Sequence, residues 1–243
     1  LWGNRILRNI SWEAVCLERS QSSMYWRYCG ESWGVGRQMI AGVITIPERK
    51  LALNRLLDVV SPEVDEVKIF CDENHQGHWW NYWRMFASML PQAAIGEPIL
   101  LMADDAITVP GFRNQWEYIH EEAQDSMYVL FSRQRHLFKA DNMGRGYVTK
   151  VQARGLYDLA SIFVDQQSLP NDVREWFRSI GRYLIPPKRQ NHLDVVIQEY
   201  FVYHGIPWTI TIPTLFDHQT VKSSLGHATI GGSPVYVGHE NLQ

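Results

Sequence analysis

Three short apolar runs, each closing on a polar cluster, constrain this chain more than anything else in it. Gln38–Ile46 (QMIAGVITI) is β-branched and apolar and stops at Pro47; Glu66–Cys71 (EVKIFC) is followed by Asp72; Pro98–Ala103 (PILLMA) runs into Asp104 and Asp105. Between them lie two stretches with helical spacing, Lys50–Val60 and Trp79–Leu90. Strand–helix–strand–helix–strand order predicts a parallel sheet with crossover helices. In such sheets ligands bind outside the carboxyl ends of the strands. Thr45–Arg49, Asp72–His75 and Asp104–Asp105 all fall at such ends, so the order of elements brings three polar clusters to one edge.

The acid pair is the most expensive of the three. Two adjacent carboxylates at the end of a buried strand lose solvation and repel each other unless a cation or a hydrogen-bond donor takes them. Hard divalent cations such as Mg²⁺ or Mn²⁺ suit such a pair, because one or two carboxylates plus substrate phosphates complete their oxygen shell. The bland alternative is a capped turn before Pro110. His218, shortly after the strand Pro207–Pro213 (PWTITIP), is a further candidate ligand through a neutral imidazole nitrogen. Asp194 opens the helix Leu193–Tyr203; a carboxylate there is ordinarily a cap or dipole partner, and serves as a general base where an acceptor proton must be removed.

The rest of the chain reads less regularly. Helices are expected over 111–124, 156–166 and 172–184, and strands over 127–132 and 147–151. The 243 residues, 45% hydrophobic, fit one domain with extensions, divided as an N-terminal extension 1–37, a main domain 38–226 and a tail 227–243. No apolar run approaches the roughly 20 residues of a membrane helix, and the first fifteen residues lack the continuous apolar stretch of a signal peptide. Three cysteines, in no CxxC pattern, argue against a disulfide framework or zinc site, and the default compartment is a reducing cytoplasm. P-loop, GxSxG and HExxH motifs are absent from the sequence. Net charge is −3, yet residues 133–189 hold eleven Lys/Arg against five Asp/Glu. With Trp176, Phe177 and Tyr183 as stacking groups, that stretch could track a phosphate backbone; the bland reading is a solvated face over an apolar helix side.

Taken together, these pieces resemble the GT-A class of nucleotide-sugar glycosyltransferases, over roughly Ile40–Gly226. Val43-Ile-Thr-Ile-Pro-Glu-Arg is like the first strand and turn that meet the nucleotide, and Ile69-Phe-Cys-Asp is like the second strand with its acid. Met102-Ala-Asp-Asp is like the DxD metal motif in its xDD form. Leu193-Asp-Val-Val-Ile-Gln-Glu-Tyr-Phe, followed by Phe216-Asp-His-Gln-Thr-Val-Lys-Ser-Ser-Leu-Gly, is similar to the acceptor-side helix and closing His segment of some inverting members. The resemblance implies an α/β fold, a Rossmann-related α/β/α sandwich with a mostly parallel central sheet. It implies that Thr45, Pro47 and Arg49 line the base and ribose pocket, with Asp72 contacting base or ribose. Asn81 and Arg84 would face the nucleotide, and Asp104 the ribose or a metal-bound water. Asp105 and His218 would hold Mn²⁺ or Mg²⁺, and Asp194 would be the general base of an inverting displacement. The implied donor is a nucleotide-sugar, a UDP-sugar first. Acceptors in the class include proteins, lipids, glycans and, in bacteriophages, hydroxylated DNA bases. No acceptor motif stands between Asp105 and Asp194. The expected acceptor is DNA bearing a hydroxymethylated pyrimidine, in a cytoplasm or, for a phage protein, a host cytoplasm; a bacterial glycan or polysaccharide is the alternative. Two other classes stay open: a metal-dependent nuclease or phosphoryl-transfer enzyme using Asp104, Asp105 and Asp194, and a nucleotide-sugar-binding protein without turnover.

Overall fold

A computed structural model describes residues 38–92, 97–132, 146–150, 160–164 and 168–219. The expectations for 1–37 and for the tail 227–243 lie outside the described residues, as do residues 139–145 of a loop expected over 139–146 and most of the basic residues between 133 and 159.

The three apolar runs form β1 (Ile40–Thr45), β2 (Glu66–Cys71) and β3 (Ile99–Ala103), with β1 pairing parallel to both of the others. Helices α1 (Lys50–Val60) and α2 (His78–Met89) are the crossovers. The chain steps from β1 outward to β2, then back across β1 to β3. Right-handed crossovers in opposite directions put α1 and α2 on opposite faces of the sheet. β1 and β3 are therefore neighbours at the point where strand order reverses, and their carboxyl ends border the crevice where an open α/β sheet takes its ligand.

The sheet continues through β7 (Ala160–Phe163), β5 (Met127–Val129), β8 (Trp208–Thr211) and β6 (Tyr147–Lys150), giving the order β2-β1-β3-β7-β5-β8-β6. Strands β7 and β6 run against the other five, so the sheet is mixed and mostly parallel. A separate ribbon pairs β4 (Ala106–Thr108) antiparallel with β9 (Phe216–His218). α3 is Phe112–Ala123.

β7 corrects the helix expected over 156–166. Ala160-Ser-Ile-Phe is buried at every position, between β3 and β5. A strand covered on both faces loses its alternation, and a short apolar run of that kind looks like one face of a helix. The strand expected over 207–213 is β8, one in from the sheet edge, with β6 outside it.

The segment expected as one helix over 172–184 is three pieces: α4 (Leu169–Trp176), a π-helical turn (Phe177–Gly181) and the short α5 (Arg182–Leu184). Trp176 fills the place where the helix would otherwise continue tightly. Its ring is buried against Tyr200, and a Cβ on Gly181 would stand 2.6 Å from that ring. Gly181→Ala therefore forces the indole out of its packed position. The expected cost is about 1–3 kcal/mol, read as a lower urea midpoint with unchanged slope.

α6 (Leu193–His204) ends on Gly205 in the left-handed conformation and leads through two residues into β8. It packs on α2 and α4, and its Phe201 ring lies 6.1 Å from that of Trp208. β8 runs in the direction of β1, so α6 runs back along the sheet and, at about 18 Å long, starts at the carboxyl edge. No helix of the described residues is long and apolar enough to cross a membrane.

Candidate active site at the carboxyl edge

Thr45 is the last residue of β1, and Asp104 follows β3 directly, its N–H donating to the Ile44 carbonyl to prolong the ladder. The two side chains meet across the crevice: the Thr45 hydroxyl donates to Asp104 Oδ2 at 2.7 Å. From the 3₁₀ turn Pro47–Arg49, between β1 and α1, the Arg49 guanidinium reaches both acids. One nitrogen, Nη1, lies 2.7 Å from Asp104 Oδ1 and 3.2 Å from Asp105 Oδ2. The cation that the buried pair requires is thus supplied by the chain itself. Arg49, expected to line the base and ribose pocket, places its guanidinium on the two carboxylates.

Burial pushes the Asp104 carboxyl above the usual carboxylate range, and the neighbouring Asp105 adds to this, while the bonds from Thr45 and Arg49 pull the other way. Asp104 is only 2% exposed, which is why desolvation wins. For Arg49, burial alone would lower the guanidinium; the hydrogen bonds and charges of the two carboxylates outweigh it and hold the group above its ordinary value.

The ribbon β4–β9 closes the site from the far end of the chain. Its register sets His218 opposite Ala106, one residue beyond the acids. His218 Nδ1 lies 3.7 Å from Asp105 Oδ2, and the Phe131 ring stands edge-on to the imidazole at 5.0 Å. Gln219, which sequence reasoning passed over, fastens this corner. Its N–H donates to the Asp105 carbonyl at 2.6 Å. Its side-chain amide donates to the carbonyls of Ala106 at 3.0 Å, Ala52 at 3.2 Å and Asp104 at 3.4 Å. The signal available beforehand was only its position beside His218.

The remaining candidates occupy the same edge with different partners. Asp72 is buried and accepts from the backbone N–H groups of Gln76 at 2.9 Å and Gly77 at 2.8 Å, holding the loop that enters α2. Asn81 is 3% exposed and donates to the carbonyls of Phe70 and Thr45, at 2.8 and 3.2 Å. Arg84 donates to the Cys71 carbonyl at 2.9 Å and to Asn81 Oδ1 at 2.8 Å, with its guanidinium over the Trp80 ring. These three side chains lash α2 to the ends of β1 and β2. Pro47 opens the 3₁₀ turn and is exposed. Asp194 is half-buried in the first turn of α6, at the end of the helix that topology assigns to this edge.

The fit to a divalent cation can be judged from the donors. A separation of 3.7 Å between Asp105 Oδ2 and His218 Nδ1 is shorter than two metal–ligand bonds of about 2.0–2.2 Å laid end to end, so one ion can touch both. Asp104 has both oxygens engaged by protein donors. Among the described residues no group of three or more His, Cys, Asp or Glu side chains is placed to hold an ion. Asp105 and His218 therefore suit a hard cation that completes its shell with phosphate and water oxygens, and do not form an all-protein cage.

No protein-family sequence model matches the chain, and no curated protein matches it in sequence. Among solved structures, the chain is similar to a glycosyltransferase involved in the glycosylation of the major capsid of PBCV-1. That likeness has a TM-score of 0.46 and 11% identity, over 76% of this chain and 94% of that one. At that level it carries no argument about chemistry, which has to come from the site.

Proposed function

We propose that the protein is a metal-dependent glycosyltransferase that moves a sugar from a nucleoside-diphosphate donor, a UDP-sugar first, to an acceptor hydroxyl with inversion. The observation that supports this best is the juxtaposition of Asp105 with His218 beside the Arg49-bridged acid pair, at the strand-order reversal of the sheet. Two protein ligands, the rest of the shell being left to phosphate and water oxygens, are what a diphosphate-bound Mg²⁺ or Mn²⁺ requires.

In this reading Asp105 and His218 hold the ion, which when bound supplies positive charge against the diphosphate leaving group. Asp104 stays on Thr45 and Arg49, presenting a fixed carboxylate edge toward the ribose side. Thr45 and Pro47 border the nucleoside; Asp72, Asn81 and Arg84 shape that border by fixing the loop and the start of α2. Gln219 keeps the acid turn and the His218 strand at a constant separation. Asp194 takes the proton of the acceptor hydroxyl as that oxygen attacks the anomeric carbon from the face opposite the diphosphate, which inverts the centre. The acceptor in this reading is a hydroxymethylated pyrimidine in DNA.

The test is thermal stabilisation by a panel of nucleoside diphosphates with and without Mn²⁺. Uridine diphosphate at a hundredfold excess over its dissociation constant is expected to add about 2.7 kcal/mol, only with metal. Asp105→Ala is expected to abolish that shift while leaving the unliganded midpoint close to wild type. Absence of a shift with every nucleotide overturns the proposal, and cleavage of nucleic acid with metal alone would favour the nuclease.

A further inference from the structure

The π-helical turn between α4 and α5 has a consequence for charge. Arg174, Arg178 and Arg182 are all exposed. In a straight α-helix, positions eight apart drift about 80° around the axis, since eight residues overshoot two turns of 3.6. A π turn holds about one residue more than an α turn, so one of each spans about eight residues. The Phe177–Gly181 turn thus brings the three guanidinium stems into one row about 12 Å long. The wide turn is built in through the Trp176 indole and the missing Cβ of Gly181.

The row is flanked by aromatic rings at both ends. The Arg174 guanidinium lies 5.9 Å from the Trp83 ring centre, and that of Arg182 lies 4.7 Å over Tyr183, whose side chain is 72% exposed. Beside the row is a shallow pocket lined by Asn171, Arg174, Glu175, Arg178 and Ser179. From Asn171 to Gln190 there are five Lys/Arg against two Asp/Glu, Asp172 and Glu175. Among the described residues no carboxylate forms an ion pair with any of the three arginines.

The stacking trio expected from the sequence is corrected here. Trp176 is 5% exposed and packed on Tyr200 and Tyr203, and Phe177 leans on Trp79. Of the three, only Tyr183 is exposed, with Arg182 over its ring and donating to its hydroxyl at 2.6 Å.

We propose that the Arg174–Arg178–Arg182 row, ending on Tyr183, is the docking surface for the phosphate backbone of a DNA strand. Three cations without a carboxylate partner, about 6 Å apart over about 12 Å, fall near every second phosphate of a strand that carries one every ~3.4 Å of rise. The exposed Tyr183 ring beside the last of them, covered by Arg182 on one side, offers its other face to a base. This surface supplies the acceptor half of the glycosyltransferase reading and rests on it for its purpose, not for its binding.

The measurement is fluorescence anisotropy of a labelled single-stranded oligodeoxynucleotide, and of its duplex, between 50 and 200 mM salt. The triple variant Arg174→Ala/Arg178→Ala/Arg182→Ala is expected to bind roughly 10–100-fold more weakly. Its log–log salt slope should be shallower by about 2, as loss of three single-strand phosphate contacts requires. The corresponding triple Lys variant should keep most of the slope, and Tyr183→Ala should weaken binding roughly 5-fold or more without changing it. DNA binding by the triple Ala variant with wild-type affinity and slope overturns the proposal. So does wild-type protein that binds no DNA, or that binds a sulfated polysaccharide as tightly as DNA; the last outcome makes an acidic glycan the occupant. The Mn²⁺-dependent shift with uridine diphosphate, measured on the same variants, is expected to be unchanged, so loss of the donor reading is seen separately.

Discussion

Arg49→Ala is expected to lose roughly 3–5 kcal/mol of stability at neutral pH, the scale for breaking a buried ion pair by removing one partner. The substitution deletes few contacts; its cost lies in what it leaves behind. Asp104 is shielded from water, and without Arg49 its carboxylate retains only the Thr45 hydroxyl while Asp105 repels it. The pH dependence follows from the direction of the shift. Asp104 already titrates above its unfolded value in the folded protein, chiefly through burial. A carboxylate so raised contributes stability that is complete below the unfolded value, near 3.8, and lost as pH rises through the folded one. Removing Arg49 removes two of the influences that hold Asp104 down, so the folded value climbs further. The deficit of Arg49→Ala relative to wild type should therefore be largest at neutral pH and shrink as pH falls toward 3.8. Adding Asp104→Asn should recover much of the loss at pH 7, because the uncompensated charge is gone. Urea midpoints of the four proteins of this cycle, at pH 5 and 7, provide the check. Additive single effects would show that Arg49 acts on something other than Asp104.

The same pair shows what the sequence could convey and what it could not. An acid pair ending a buried run advertises a need for positive charge, and the need is real. Which group meets it depends on a contact between residues 55 positions apart, and no local pattern encodes that. The three parallel strands were legible because β1 and β3 are apolar runs of five or six residues and β2 is a short β-prone stretch, each stopped by a polar cluster. The ribbon strands β4 and β9 have three residues each, too few for a period to show, yet they set His218 against Asp105. Trp176 was misread for a related reason: Arg174 and Arg178 on either side of it mark an exposed helix, yet the indole falls on the buried face of α4 with Leu169 and Val173, packed against Tyr200 and close to Gly181. Asn81 and Arg84 were correctly placed on the helix after the second strand, but their reach to backbone carbonyls depends on how closely α2 sits on the strand ends.

Asp194→Asn is expected to reduce sugar transfer by about 10²–10⁴-fold, the usual scale for a general base, while leaving donor binding and fold intact. Asp194 is the base in the proposed reading, and the start of α6 is what supports it. α6 starts, by topology, at the edge where β1 and β3 end, and within its otherwise buried first turn Asp194 alone is half-buried, so this carboxylate is not sealed in the core. The amide keeps the shape and some hydrogen bonding of the acid but cannot take the proton, so kcat should fall with little change in KM for the donor. Two companion readouts separate the roles. The Mn²⁺-dependent stabilisation by uridine diphosphate should match wild type, since Asp105 and His218 are untouched. Slow hydrolysis of the sugar nucleotide by water should fall less than transfer, because positioning of the diphosphate survives. Equal transfer rates for Asp194→Asn and wild type would remove Asp194 as the base. Intact donor binding in both, with no transfer or hydrolysis in wild type on any acceptor, would identify a nucleotide-sugar-binding protein that does not turn over.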